Sequence, residues 1–192
     1  MKPLVILATL LLVAGVTQAK KLPGYVVFPN NDTLRGDIKI SGASFLGQGY
    51  NPYDAVAITD STGRDSTYQP GEVIAFGFTD KSGEHIFRAK MHRDSTIKFQ
   101  QVIVLGPKAS LYYYEPNSAG GYGSPPTYFT FERADGAVLF LKNYDKLETF
   151  QNKIKVFYGE AGGLGQFIDE RFTSRWKMRD DIKAVVMEAN RL

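Results

Sequence analysis

Residues 72–105 read EVIAFGFTDKSGEHIFRAKMHRDSTIKFQQVIVL, and this stretch decides the fold class. Glu72 to Thr79, Glu84 to Met91 and Ile97 to Leu105 are short apolar or alternating runs rich in β-branched and aromatic residues. Asp80-Lys81-Ser82-Gly83 and Arg93-Asp94-Ser95-Thr96 separate them with turn residues, so the pattern is that of antiparallel strands joined by tight connections. The same pattern extends outward. Gly24 to Phe28 and Leu34 to Ile40 flank Pro29-Asn30-Asn31-Asp32-Thr33, and Ala55 to Thr59, Thr67-Tyr68, Ser110 to Glu115, Thr127 to Arg133 and Ala137 to Lys142 bring the count to about ten strands. Asp32-Thr33, Arg64-Asp65-Ser66-Thr67 and Arg93-Asp94-Ser95-Thr96 each open a strand, which we read as turn chemistry: aspartate accepts from a nearby backbone N–H and threonine suits the extended chain.

After Lys142 the period changes. Leu147, Phe150, Ile154 and Phe157 recur at three and four residues, predicting an amphipathic helix over 144–158. The glycines of Gly159 to Gly165 stop it, Phe167 to Phe172 reads as a short helical turn, and Asp180 to Asn190 as a final helix. Strands followed by helices define an α+β protein. We expect an antiparallel β domain over 20–143, a sandwich or partly closed barrel, with a helical segment over 144–192 packed on it. Outer-membrane barrels need even, lipid-alternating strands of about 9 to 11 residues, and the uneven strands and charged helical end argue against one.

Residues 1–19 read as a secretory signal peptide: Lys2, an apolar run from Leu4 to Val16, and small residues at Thr17-Gln18-Ala19 ahead of Lys20 and Lys21. The expected location is therefore periplasmic or extracellular, with no transmembrane span after signal removal. Without Lys2 the chain carries 22 basic and 20 acidic residues, a balance that selects no partner class. The 192 residues contain no cysteine, so there are neither disulfides nor thiolate ligands, and the fold depends on a packed core.

Several segments carry a family resemblance. Gly24-Tyr25-Val26-Val27 leading into Asn31-Asp32-Thr33-Leu34-Arg35-Gly36-Asp37-Ile38 resembles the opening of a group of uncharacterised exported proteins of Bacteroidetes. Tyr68-Gln69-Pro70-Gly71-Glu72-Val73-Ile74-Ala75-Phe76, then Val104-Leu105-Gly106 with Ser110-Leu111-Tyr112-Tyr113-Tyr114, are similar to their next segments, and Asp181-Ile182 through Asn190 to their closing helix. That group usually ends in Tyr-Asn where this chain has Ala189-Asn190. The resemblance implies export and a β-rich fold with terminal helices, and it assigns no catalytic residues or cofactor.

The search for chemistry starts with nucleophiles. There is no Gly-x-Ser-x-Gly elbow and no thiol, and a serine triad would have to use His85 or His92, both of which read as exposed strand-edge residues. Two histidines seven apart match no short metal-ligand spacing, and Asp60 to Asp65 lacks the bidentate glutamate of a calcium loop, so no metal or cofactor is assigned. Glu72, Glu84, Glu115, Glu132 and Asp135 could supply a carboxylate pair for hydrolysis only at separations that a sequence does not display. Gly159 to Gly165 lacks the Gly-Lys-Ser/Thr ending of a phosphate cradle. Arg171, Arg175, Trp176, Lys177 and Arg179 form a basic and aromatic group suited to an anionic envelope surface, and export argues against nucleic acid. The most suggestive stretch is Tyr112-Tyr113-Tyr114 running on to Tyr122 and Tyr128. Alternation puts Tyr112 and Tyr114 on one face, and an exposed pair would suit sugars or peptides. The expected function is a non-catalytic envelope module binding a glycan or protein through Tyr112, Tyr114, Tyr122 and Tyr128. The alternatives are a carboxylate-dependent hydrolase of envelope polymers and a structural assembly component.

Overall fold

The computed structural model describes residues 20–40, 52–116, 126–159, 163–174 and 178–192. The strands are β1 (Lys20–Val27), β2 (Thr33–Ile40), β3 (Val56–Asp60), β4 (Asp65–Tyr68), β5 (Ala75–Asp80), β6 (Gly83–Met91), β7 (Ile97–Leu105), β8 (Ala109–Tyr114), β9 (Tyr128–Arg133) and β10 (Val138–Lys142). They form one antiparallel sheet in the order β10-β9-β8-β7-β6-β5-β1-β2-β3-β4. Three helices follow, α1 (Leu147–Tyr158), α2 (Leu164–Arg171) and α3 (Met178–Arg191), so the architecture is α+β. No helix among the described residues is long and apolar enough to cross a membrane.

Turn aspartates hold the hairpins, though not everywhere the sequence suggests. Asp94 Oδ1 accepts from the Thr96 N–H and hydroxyl, and Asp80 does the same with Ser82. In the β3–β4 hairpin the turn residue is Asp60, which accepts from the N–H groups of Thr62 and Arg64. Asp65 instead starts β4, where it accepts from Thr59 and pairs with Lys39. The carboxylate of the calcium-like loop is thus used inside its own turn.

The sheet curls in two senses. Over its first half one face rolls inward, burying Val26, Ile38, Ile58, Phe76, Phe87 and Phe99 among themselves. The roll brings the segment ahead of β3 round to β7, where the Phe99 N–H donates to Tyr53 O at 3.0 Å and Lys98 meets Asp54 at 2.8 Å. Among the described residues no strand ladder spans that gap. The strands form a single antiparallel sheet rolled on itself and not closed into a barrel, so of the two expected forms it is the sandwich of two stacked sheets that does not hold.

Over the second half the same face is covered by helices. Leu111, Phe129, Phe131 and Leu141 pack against Phe150 and Ile154 of α1, Ile168 of α2, and Ile182, Val185 and Val186 of α3. Helix α1 starts at Leu147 rather than Tyr144 because Asn143 and Asp145 are held in a turn by Thr127 and Lys142. The opposite face becomes concave here. Lys90 of β6 reaches Glu132 of β9 at 2.5 Å, across three strand spacings that would span about 14 Å in a flat sheet. Only a strong curl lets the two side chains meet.

Candidate functional site

A β-bulge creates the site. β6 and β7 are paired from Phe87/Gln101 to Met91/Ile97, and at Val102–Val104 the register shifts as β7 leaves β6 to stay with β8. A bulge adds a residue to one strand and re-aims it. The divergence opens a wedge on the concave face, seen as two adjoining clefts of about 260 and 460 Å³ that share Arg88, Lys90 and Leu105.

The two ends of the wedge differ in chemistry. Toward β1 and β5 it is lined by Tyr25, Val27, Ile74 and Ile86, with Ile74 40% exposed. The Tyr25 ring lies across Gly77: a Cβ built there would meet its atoms at 2.8 to 2.9 Å, so only glycine lets the ring lie flat. Burial raises the Tyr25 hydroxyl above its ordinary value, and Glu84 adds to this while Arg35 and Arg88 oppose it. The hydroxyl stays protonated and can donate.

Toward β8 and β9 the wedge is polar, with Ser110, Tyr112 and Glu132. Burial alone would raise Glu132. The hydrogen bond and charge of Lys90, then the Tyr112 hydroxyl and Arg88, outweigh it and hold the carboxyl below its ordinary 4.5. Lys90 also stands 4.9 Å above the Tyr112 ring. Glu132 is therefore an ionised acceptor and has no proton to donate to a leaving group.

The tyrosines need correction. Tyr112 and Tyr114 share a face as alternation requires, but they are only 1% and 6% exposed, so they are not an open platform. The concave curl covers them: Tyr114 packs on Tyr53, His92 and Tyr128. Of this pair only Tyr112 borders the wedge, through its edge and hydroxyl. Tyr128 is half-buried against His92, with Lys142 over its ring. Tyr122 lies outside the described residues, as do Arg175, Trp176 and Lys177. Of the basic group, Arg171 ends α2 and stands 3.8 Å from Asp181, while Arg179 of α3 stacks on Tyr113 at 4.5 Å. That stack borders a separate cleft of about 560 Å³ with Thr127, Phe129 and Tyr144.

The structure brings a serine, a histidine and an aspartate together without making a triad. His85 Nε2 lies 3.0 Å from both Ser82 Oγ and Asp80 Oδ1, and Asp80 itself accepts the Ser82 hydroxyl at 2.6 Å. A working triad needs the serine on one ring nitrogen and the carboxylate on the other. Here His85 Nδ1 faces Gln101 at 3.3 Å instead, and Asp80, held well below its usual range first by the Ser82 hydroxyl and N–H, is a turn cap. Of the other candidate acids, Glu84 is exposed on β6 and three more are engaged. Glu72 accepts the Gln69 N–H, Glu115 the Tyr113 hydroxyl, and Asp135 pairs with Arg133.

His92 is not the exposed residue expected from sequence: it sits inside an aromatic cage of Tyr114, Tyr128 and Phe140, 7% exposed, with Nδ1 unpartnered among the described residues. Burial pushes its pKa below 6.5, helped by Lys98 and Arg93 and opposed by Asp94. The unfolded chain then binds more protons, so stability is lost as pH falls through 6.5 toward the lower folded value. We expect the melting temperature to decline between pH 7.5 and 5, and His92→Gln to flatten that slope. An unchanged slope in the variant would show that His92 is not the titrating group.

Compared with models of protein families, with curated proteins and with solved structures, the chain matches none.

Proposed function

We propose that the protein is an exported, non-catalytic module of the cell envelope that binds a glycan in the wedge between β6 and β7. The observation that carries this reading is the Tyr25 ring, laid across Gly77 in a cleft that shares Arg88 and Lys90 with the adjoining cleft lined by Glu132. Sugars stack their apolar faces on such rings and exchange hydrogen bonds with charged side chains beside them. Export is supported by the basic start, apolar run and small residues of 1–19 and by the resemblance to exported Bacteroidetes proteins. The engagement of Glu132, Asp80, Glu115 and Asp135 in fixed ion pairs and turns supports binding over hydrolysis.

The test is a thermal-shift and calorimetric screen of the purified protein against envelope oligosaccharides. A ligand at 100 times its Kd stabilises by about 2.7 kcal/mol, which moves the melting point by several degrees. Tyr25→Ala should weaken the positive sugar about tenfold, equivalent to about 1.4 kcal/mol, while the variant stays folded. A variant that folds and binds as before would remove Tyr25 from the site.

A second reading, a protein partner or assembly component, rests on the outer edge of β10. That strand, Val138–Lys142, has no partner on its far side among the described residues, and beside it Val156, 85% exposed, lines a cleft of about 430 Å³ with Leu139 and Phe157. A free apolar edge accepts an added strand. Silence across the sugar screen together with a stable complex in envelope extracts, lost on Val156→Asp, would favour it.

A further inference from the structure

We propose that the glycan carries a carboxylate and that Arg88 receives it. The proposal rests on the glycan reading of the wedge and adds the ligand's charge. Arg88 lies where the two clefts meet and is half-buried. The other half-buried basic side chains among the described residues already have partners. Lys39 pairs with Asp65, Lys90 with Glu132, Lys98 with Asp54, Arg133 with Asp135 and Lys155 with Asp169, and Lys142 lies over the Tyr128 ring. Among the described residues Arg88 has no carboxylate within ion-pair distance and stands over no ring.

Glu132, the acid it influences through space, is already taken by Lys90 and the Tyr112 hydroxyl. A guanidinium partly withdrawn from water gains most from a planar anion that takes two parallel N–H bonds, and a carboxylate has that shape. Its neighbours fit an acidic sugar. Tyr25 and Ile86 offer apolar surface on one side, and Ser110 and Glu132 accept sugar hydroxyls on the other. A free acidic peptide would need no aromatic platform. A neutral glycan would leave the guanidinium without its counter-charge.

The test uses matched probes: oligogalacturonate and its methyl ester, which share a backbone and differ only in the free carboxylate, with muramyl dipeptide as a second carboxylate source. Isothermal titration should give at least tenfold tighter binding to an acid form than to the ester, and which acid binds identifies the source. Arg88→Gln should abolish the preference with an unchanged circular-dichroism spectrum, and Arg88→Lys, which keeps charge but not the fork, should retain part of it. Equal binding of acid and ester, failure of all three probes in a protein that binds a neutral sugar, or a preference that survives Arg88→Gln, would overturn the carboxylate assignment and leave the glycan reading standing. Failure of acid, ester and muramyl dipeptide alike, in a protein that the wider screen also shows to bind no sugar, would overturn both.

Discussion

Replacing Asn190 with alanine is expected to cost about 3 kcal/mol, roughly 1 kcal/mol or a little less for each hydrogen bond lost at this partly buried site. One side chain makes four such bonds. Its Oδ1 accepts the N–H groups of Lys108 and Ala109, and its Nδ2 donates to the carbonyls of Ala109 and Val186. The amide thus clamps the end of α3 onto the turn between β7 and β8, the strand pair whose divergence from β6 forms the wedge. Gly106 lies against the same amide, and a methyl group added there would collide with it. Gly106→Ala should reproduce the loss by displacing the clamp, and Asn190→Asp, which keeps the two acceptor bonds and loses the two donors, should fall between. Urea unfolding midpoints measure all three. A loss below about 1 kcal/mol for Asn190→Ala would mean that α3 is held by its apolar face alone.

Phe76→Ala is expected to cost more, about 3 to 5 kcal/mol, the range for truncating a buried aromatic in a packed core. Phe76 is fully buried at the centre of the rolled half-sheet, stacked on Phe87 at 4.6 Å and edge-on to Phe99 at 4.9 Å. These rings come from β5, β6 and β7, so the cavity would weaken the strands that carry Arg88 and Lys90. Among the described residues no strand ladder closes the seam, which is bridged by the Phe99–Tyr53 backbone hydrogen bond, the Lys98–Asp54 ion pair and the ring contacts of Tyr53, so the roll depends on this core more than a closed barrel would. Chemical denaturation checks the magnitude. A change under 2 kcal/mol would show that the surrounding rings collapse into the space.

The strands and helices were legible in the sequence because each is bounded by chemistry that acts over a few residues. Asp94 and Thr96 close their turn locally, and Leu147, Phe150 and Ile154 lie on one helix face whatever they pack against. What alternation does not carry is which face ends up covered. Tyr112 and Tyr114 sit on the same side as expected, but their burial comes from the curl that brings Lys90 to Glu132, 42 residues apart in the chain. The bulge at Val102–Val104 is likewise silent in an unbroken run of Gln101-Val102-Ile103-Val104. Alternation and composition do not single out Tyr25 or Arg88 as site residues. The one available signal was Gly77, an isolated glycine inside a strand pattern, which marks close approach by another group. In the sequence Glu132 is one carboxylate among several, and spacing does not display its pairing with a lysine on a distant strand.

The wedge as the binding surface is tested most directly by following backbone amide chemical shifts while the tightest sugar from the screen is added. The account predicts saturable shifts concentrated at Tyr25, Gly77, Arg88, Lys90, Ser110 and Glu132, with Asn190 and the α1–β10 edge unmoved. Shifts centred instead on Tyr113, Tyr144 and Arg179, or on Leu139 and Val156, would contradict it and move the site to another face of the molecule.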